Sequence, residues 1–406
     1  MLPRDGPPAA LCRIAEKIEA AGYAVYLVGG ALRDAILADT WLAVSDWDLA
    51  TAARPEQVAA LFPGTIPIGI KHGTVKVITA DLAAEVTTFR IEKGYSDHRR
   101  PDRVSYAASI YEDLRRRDFT INAMAYEPLA QVFVDPYCGM QDLRLKLVRA
   151  VGQPVERLAE DHLRLLRAVR FASTLGFRLD RRLAEAIFQG RTGVKTLAWE
   201  RISGELAKIL RGPFPVRGFR LLSELGLLRE ILPELAERDL TWNLKVMAQT
   251  PPSLRLRLAA LLAGGDAEEL LLKFCLPRTE REKISLLLAL QLETPNRPEP
   301  ELRRFLARAG EEALDLVALW RAQAKAGKFY NQELEAELGR IVRLACALPV
   351  KISDLAIDGR RVMELLAIPP GPQVGVVLKK LLAAVIVSPE LNERAILEQL
   401  TLSEKE

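Results

Sequence analysis

Strand signals occupy the first 150 residues of this chain and then stop. Before that point, short β-branched and apolar runs alternate with helical stretches. Beyond it, leucine-rich segments at helical spacing follow one another, broken by Gly212-Pro213, Pro251-Pro252, Gly264-Gly265 and Pro369-Pro370-Gly371-Pro372. Such a pattern cannot carry one continuous sheet through both halves. The expectation is an α+β protein, with a mixed α/β head at the amino terminus and an all-α remainder. A length of 406 residues suggests two to four domains, and an aromatic content of 6% means that the cores must be mostly aliphatic.

Within the head, Ala9–Ala21 reads as an amphipathic helix and Tyr23–Val28 as a strand running into Gly29-Gly30. A short helix over Ala31–Leu37, a strand over Ser45–Ala50 and a helix over Pro55–Phe62, with Thr51 or Arg54 near its cap, come next. Strands are expected at Ile66–Ile70 and Thr74–Thr79 around a Lys71-His72-Gly73 turn, and at Ala84–Phe89, where Glu85, Thr87 and Phe89 share a face. Ile91–Asp113 is polar and without periodicity, which predicts a mobile functional loop.

Asp46 and Asp48 lie in the Ser45–Ala50 strand, where residues two apart point the same way. Two adjacent carboxylates repel and call for a cation. Hard divalent ions such as Mg²⁺ take oxygen ligands and keep phosphate-bearing substrates in their shell. Gly29-Gly30 before a helix start offers bare backbone N–H groups to phosphates, and Arg33 adds charge one turn on. Taken alone, an Asp-x-Asp is more often a turn leading into a solvated strand. If the Glu85 strand neighbours the Asp46/Asp48 strand, a third carboxylate joins the pair, enough for the two metal ions that promote attack of a hydroxyl on an α-phosphate. As an isolated residue, Glu85 is an ordinary exposed strand glutamate.

Arg115-Arg116-Arg117 precede Asp118-Phe119-Thr120-Ile121-Asn122. Three adjacent arginines can neutralise a triphosphate, while Thr120 and Asn122 can bond a sugar or order the loop; the plainer alternative is a basic helix start capped by Asp118. Asp135-Pro136 with Gly139 and Asp142 reads as a strand end, a tight turn and a helix cap. From Arg149 to Arg182 there are eight arginines against four acids. Asp161, Arg164, Arg167 and Arg170 are three apart, a row winding along one helix. Either this is a solvated, ion-paired helix, or it reads a base. Cytosine and adenine each place an exocyclic amino donor beside a ring-nitrogen acceptor. A carboxylate at Asp161 and a guanidinium at Arg164 match that pair, and both are mismatched by uracil and guanine.

The remaining composition narrows the classes. Cys12, Cys138, Cys275 and Cys346 show no CxxC spacing, which argues against a zinc ribbon or a disulfide framework and suggests a reducing cytoplasm. The three histidines, His72, His98 and His162, leave the second half without a histidine-based metal site. The residues after Met1 lack a basic-then-apolar leader pattern, and no apolar run is long enough to span a bilayer. A net charge of +4 is only mildly basic and does not by itself imply nucleic acid.

The ordered runs LVGGALRD (27–34), SDWDLAT (45–51), HGTVKVITADLAAEVTTFR (72–90), RRRDFTINA (115–123), DPYCGMQDL (135–143), EDHLRLLRAVRF (160–171) and ERISGELAKIL (200–210) resemble the class II tRNA nucleotidyltransferases, the bacterial CCA-adding enzymes and their poly(A) polymerase relatives. The segment from Asp354, DLAIDGRRVMELLAIPPGPQVGVVLKKLL, resembles the carboxy-terminal part of that family, so the likeness covers nearly the whole chain. It implies a polymerase-β-like catalytic head over 1–147, a helical neck over 148–211, a body over 212–300 and a tRNA-binding tail over 301–406. It further implies that Gly29, Gly30 and Arg33 bind the triphosphate, that Asp46 and Asp48 bind Mg²⁺ with Glu85 completing the set, and that Arg117 contacts the nucleotide. Asp161 and Arg164 would read the incoming base, Arg167 and Arg170 would add nucleotide or phosphate contacts, and Glu200 and Arg201 would brace the reading helix. The implied reaction is template-independent addition of CCA to tRNA from CTP and ATP, with no membrane and no protein partner. Two family features bear on specificity. Gly69-Ile70-Lys71-His72-Gly73-Thr74-Val75 stands where the poly(A) polymerases typically carry a Gly-Arg-Arg-Phe-type run, and the segment Gly94–Ile110, shortened in CC-only enzymes, is intact. An A-adding enzyme, a poly(A) polymerase and a non-catalytic RNA-binding protein on the same fold remain the alternatives.

Overall fold

The computed structural model describes residues 2–69, 73–93, 103–107, 109–293, 296–349 and 351–403. The specificity features at 70–72 and 94–102 lie outside the described residues. The chain divides into two compact units, residues 1–237 and 238–406.

The first unit opens with α1 (Ala9–Ala20), which buries Leu11, Ile14 and Ile18 along one stripe, as its spacing predicts. Strand β1 (Val25–Val28) runs directly into α2 (Gly29–Ala38); the reversal is made at Gly29, whose φ of 69° is open to glycine at little cost. β2 (Trp47–Thr51) and α3 (Pro55–Leu61) follow, then β3 (Thr65–Gly69), β4 (Thr74–Ile78) and β5 (Ala83–Thr88). Arg54 occupies the cap position of α3, where its N–H donates to the Gln57 side chain at 2.8 Å.

The segment expected to be a mobile loop is in part regular. β6 (Arg90–Lys93) pairs antiparallel with β7 (Arg103–Tyr106), and α4 (Ile110–Arg115) follows, capped by Ser109. A two-stranded polar ribbon needs no apolar alternation, so periodicity is the wrong signal for it. β8 (Ala125–Glu127) and β9 (Val132–Val134) complete a seven-stranded mixed sheet of order β3-β4-β5-β2-β1-β8-β9. Its parallel pair is β2 with β5, in a register that sets Asp48 opposite Glu85.

α5 (Gly139–Arg144) is started by Asp135, whose carboxylate accepts the N–H groups of Gly139 at 2.7 Å and Met140 at 2.9 Å. β10 (Leu147–Val148), α6 (Pro154–Glu160), α7 (Leu163–Thr174) and β11 (Arg178–Leu179) come next. β11 pairs in parallel with β10, so one short strand does occur beyond residue 150, contrary to the sequence expectation. The unit ends with α8 (Arg181–Gly190), α9 (Trp199–Arg211), α10 (Pro215–Glu224), α11 (Leu227–Ile231) and α12 (Pro233–Ala236). α7 buries Leu165, Leu166, Ala168, Val169 and Ala172 and packs against α9, which buries Ile202, Leu206 and Ile209.

The second unit is helical: α13 (Thr241–Gln249), α14 (Leu254–Leu262), α15 (Glu268–Lys273), α16 (Arg278–Leu290), α17 (Glu299–Ala309), α18 (Ala313–Gly327), α19 (Gln332–Ala347), α20 (Gly359–Leu366), α21 (Pro372–Val387) and α22 (Arg394–Ser403). α14 is buried all round, and its last carbonyls are closed by Asn243, which donates to Ala260 at 2.9 Å and Leu261 at 3.1 Å. A separate small core under α20 to α22 is built on Val362, Leu381, Val385 and Leu397. Among the described residues no helix is long and apolar enough to cross a membrane.

Candidate functional site

A cleft of about 850 Å³ opens in the first unit where β1, β2 and the start of α2 face α7 and α9. It is lined by Gly29, Gly30, Arg33, Asp46, Asp48, Arg117, Asp161, Arg164, Arg167 and Arg170, so residues up to 141 positions apart in sequence meet in one cavity. Of the three carboxylates expected to hold metal, Glu85 is the exception. It sits beside Asp48 in the β2/β5 ladder but is not among the cleft-lining residues.

Asp46 lies in the bend before β2 rather than within the strand, because pairing with β5 begins at Trp47. Asp46 is exposed and Asp48 is half-buried. Burial pushes the Asp48 carboxyl up to about 6; Arg117 opposes that rise, and Glu85 and Asp46 add to it. A carboxylate that ionises unwillingly beside a second carboxylate fits a hard divalent cation. Among the described residues no group of three or more His, Cys, Asp or Glu gathers at metal-holding spacing, so the protein offers the Asp46/Asp48 pair. Gly29 is pressed between partners: a Cβ built there would lie 3.0 Å from Arg117 Nη1 and 3.3 Å from Asp48 Oδ2.

The cations are held in place by carboxylates, of which sequence reading named only Asp118, and that as a helix cap. Asp113, fully buried, accepts from Arg116 at 2.7 Å and Arg117 at 3.0 Å, which keeps its carboxyl below the usual range despite burial. The arginine trio therefore splits: Arg116 and Arg117 line the cleft and Arg115 does not. Asp118 is no helix cap. Its Oδ1 accepts from Phe119 N–H and from Asn122 Nδ2, and its Oδ2 accepts from Arg167 Nη2 at 2.6 Å. Thr120 orders the loop by donating to Asp142 at 2.6 Å. Arg33, 8% exposed, spends its donors on Asp34 and on Asn122 Oδ1, the latter at 2.7 Å. Arg170 is bonded to Glu205 at 2.5 Å.

The ring of Phe171 is the common seat of three guanidiniums: Arg170 stands 3.8 Å from its centroid, Arg33 5.1 Å and Arg167 5.4 Å. Arg33 comes from α2 and the other two from α7, so the ring joins the two sides of the cleft. Nothing in the sequence distinguishes Phe171 from an ordinary core aromatic.

Asp161 is not on the helix with the three arginines. It occupies an extended break between α6 and α7, where its Oδ1 accepts the Leu163 N–H at 3.0 Å and starts α7. Arg201 of α9 donates to both its oxygens, at 3.1 and 2.8 Å. Arg164 is also engaged, with Glu160 and with the carbonyls of Arg157 at 2.8 Å and Arg116 at 3.2 Å. A carboxylate has four acceptor sites and a guanidinium five donors, so each keeps capacity toward the cleft. Thr87, which the strand alternation sets on the face of Glu85, also lines the cavity, as do Arg90, Lys208 and Phe171, to which no sequence signal points.

The buried Asp118 carboxylate and the half-buried Arg167 guanidinium tie the head to α7. Replacing Asp118 by Asn leaves the half-buried Arg167 without its anion, and loss of a charge-assisted hydrogen bond predicts a destabilisation of about 1.5–3 kcal/mol. Desolvation raises the Asp118 pKa, but Arg167, Asn122 and Arg164 outweigh it and hold the carboxyl far below the ordinary value. A depressed carboxyl stabilises the fold above its unfolded pKa, near 4, and loses that contribution as pH falls below it. The unfolding temperature of Asp118→Asn should therefore lie well below that of the parent at neutral pH, with the gap closing on acidification. Equal unfolding temperatures at pH 7 would remove the tie.

Residues 25–149 match the family described as "Poly A polymerase head domain", and residues 176–238 match "Probable RNA and SrmB- binding site of polymerase A". The chain is 37% identical over 380 residues to a protein named "CCA-adding enzyme" from Geobacillus thermodenitrificans, covering 92% of this chain and 91% of the relative. It is 36% identical to one of the same name from Limosilactobacillus reuteri, over 95% and 94% of the two chains. Among solved structures, that of the Bacillus stearothermophilus CCA-adding enzyme in complex with CTP superposes with a TM-score of 0.79 at 32% identity, covering 97% of each chain.

Proposed function

The chain belongs to the family of CCA-adding enzymes, and from that premise we propose that it adds C, C and A to the 3′ end of tRNA, using CTP and ATP and releasing pyrophosphate. The observation that carries this reading is the joining of the Gly29-Gly30 and Asp46/Asp48 side to the Asp161/Arg164 side in a single cleft. We assign residues 1–147 to a catalytic head, 148–211 to a neck, 212–300 to a body and 301–406 to a tail that holds tRNA.

The start of α2 presents backbone N–H groups to the triphosphate at a helix N-terminus, and Arg117 adds fixed positive charge. Arg33 is seated on Phe171 and shapes that end of the cleft. Asp46 and Asp48 hold a divalent cation, which we take to be Mg²⁺, with Glu85 behind them on β5. When bound, that metal neutralises charge at the α-phosphate and lowers the pKa of the attacking hydroxyl. The 3′-oxygen of tRNA forms its bond to the α-phosphorus as the bond to pyrophosphate breaks. Asp161 accepts the exocyclic amino proton of C or A while Arg164 donates to the ring nitrogen beside it. Arg201 holds the Asp161 carboxylate at the angle this requires. Arg167 and Arg170, tied to Asp118 and Glu205, keep α7 in place and supply positive potential more than free contacts. Four free cysteines suit a reducing cytoplasm as the working compartment.

The test is sequencing of 3′ ends after incubation with Mg²⁺ and each nucleotide, starting from tRNA ending at the base before the CCA terminus and from tRNA ending in CC. The expected products gain C, C, A and A respectively. Growth only from the CC-ended substrate would convert the reading to A-addition, and long A tracts on unrelated RNA would convert it to poly(A) synthesis.

A further inference from the structure

Away from the cleft, two stretches of chain are stitched side by side. The Arg178 N–H donates to the Lys146 carbonyl at 2.8 Å and the Asp180 N–H to the Val148 carbonyl at 2.9 Å, which brings 144–148 against 178–182. This corner carries exposed Arg144, Lys146, Arg178, Arg181 and Arg182. The acids around it are committed elsewhere. Asp142 is buried on Thr120 and Arg149, the Asp180 carboxylate takes the N–H groups of Arg182 and Leu183 to cap α8, and Glu185 holds Arg181. Among the described residues, Arg144, Lys146, Arg178 and Arg182 form no ion pair.

Two local rules are broken at this corner. Arg181 and Arg182 stand in the first turn of α8, where the helix dipole opposes positive charge. Lys146 adopts a left-handed φ of 53°, which a side chain other than Gly or Asn rarely does. Costs of this kind collect where a function offsets them. Among the described residues no carboxylate neutralises these four cations, which leaves them open to an external polyanion. Their long, flexible heads are spread over two segments and make no bidentate site for a single small anion. That spacing suits the repeated phosphates of a nucleic-acid backbone. The ribbon formed by β10 and β11 packs on α7, the helix that carries Arg164 and Arg167 into the cleft.

We propose that the β10–β11 corner, through Arg144, Lys146, Arg178 and Arg182, is a sequence-independent docking surface for the phosphate backbone of the tRNA. This rests on the reading of the chain as a tRNA nucleotidyltransferase. The experiment combines Arg144→Gln, Lys146→Gln, Arg178→Gln and Arg182→Gln in the full chain and measures tRNA affinity across a series of KCl concentrations, together with steady-state incorporation of CTP. Because all four side chains are exposed, none lines the cleft and Arg182→Gln relieves the dipole cost, the unfolding temperature should match or slightly exceed that of the parent. Affinity for tRNA is expected to fall about tenfold or more, and the slope of log affinity against log salt to shrink by about 3 to 4, near one per lost phosphate contact. The turnover number at saturating tRNA and the KM for CTP should not move. An unchanged tRNA affinity and salt slope overturns the proposal. A raised KM for CTP with unaltered tRNA affinity also overturns it. A parent protein that neither binds tRNA nor extends it fails the functional reading itself, a result distinct from failure of the corner alone.

Discussion

Asp48→Asn abolishes nucleotide incorporation and leaves the protein folded, with unligated stability at or above that of the parent at neutral pH. The two halves of this expected result have one cause. Asp48 is half-buried beside Asp46, with Glu85 across the ladder, and burial raises its carboxyl to about 6. A carboxyl raised in the folded state costs stability once it ionises there. The cost is absent below the unfolded pKa near 4, grows as pH rises, and is fully present above about 6. Asn cannot ionise, so the variant escapes the cost above pH 6 and matches the parent near pH 4. Asn also cannot give the proposed metal site its anionic oxygen, and loss of metal-assisted charge stabilisation is worth several kcal/mol, or roughly a thousandfold or more in rate. Incorporation of radiolabelled CTP and thermal unfolding at pH 4, 6 and 8 measure both halves. Incorporation within tenfold of the parent, or destabilisation at pH 8, would refute the assignment of Asp48.

Asp161→Ala should leave incorporation of C and A measurable but remove most of the discrimination against U and G. On the proposed reading, the amino group of C or A loses its acceptor, and the carbonyl of U or G no longer faces a carboxylate. Each mismatched contact is worth about 1–3 kcal/mol, so selectivity expressed as a ratio of kcat/KM values should fall by roughly ten- to a hundredfold. The structure adds a second effect. Asp161 starts α7 and is the anion for Arg201, so the alanine variant leaves a guanidinium without a partner in the cleft. Asp161→Asn separates the two effects, because it keeps an oxygen for the Leu163 N–H while altering the donor and acceptor pattern toward the base. Misincorporation ratios in Asp161→Ala equal to those of the parent would refute the base-reading role.

How much of this is legible in the sequence follows how local each interaction is. The Asp-x-Asp pair, the Gly-Gly start of α2 and the change from strands to helices near residue 150 are short-range patterns. The neighbouring of β2 and β5 is suggested only by chemistry, three carboxylates wanting one cation, and the register supports it. The partners that hold the cations in place are not legible, because they join distant positions: Asp118 with Arg167 across 49 residues and Arg170 with Glu205 across 35. Asp113 is the exception. It lies three and four residues before Arg116 and Arg117, a helical spacing from which both pairs could have been drawn. The break that takes Asp161 off α7 is hidden for another reason. Charge at every third residue looks like a continuous helix whether or not the backbone turns at one end.

The Phe171 ring also limits how this protein can be recombined with its relatives. Arg33 of α2 rests on that ring beside Arg170 of α7, and Asp118 grips Arg167 close by. A chimera spliced near residue 147 would take α2 and Asp118 from one parent and the ring and its arginines from another, so every such hybrid must re-match these fits. A splice at Glu237/Arg238 leaves them whole, which makes the boundary between the two compact units the place to exchange parts.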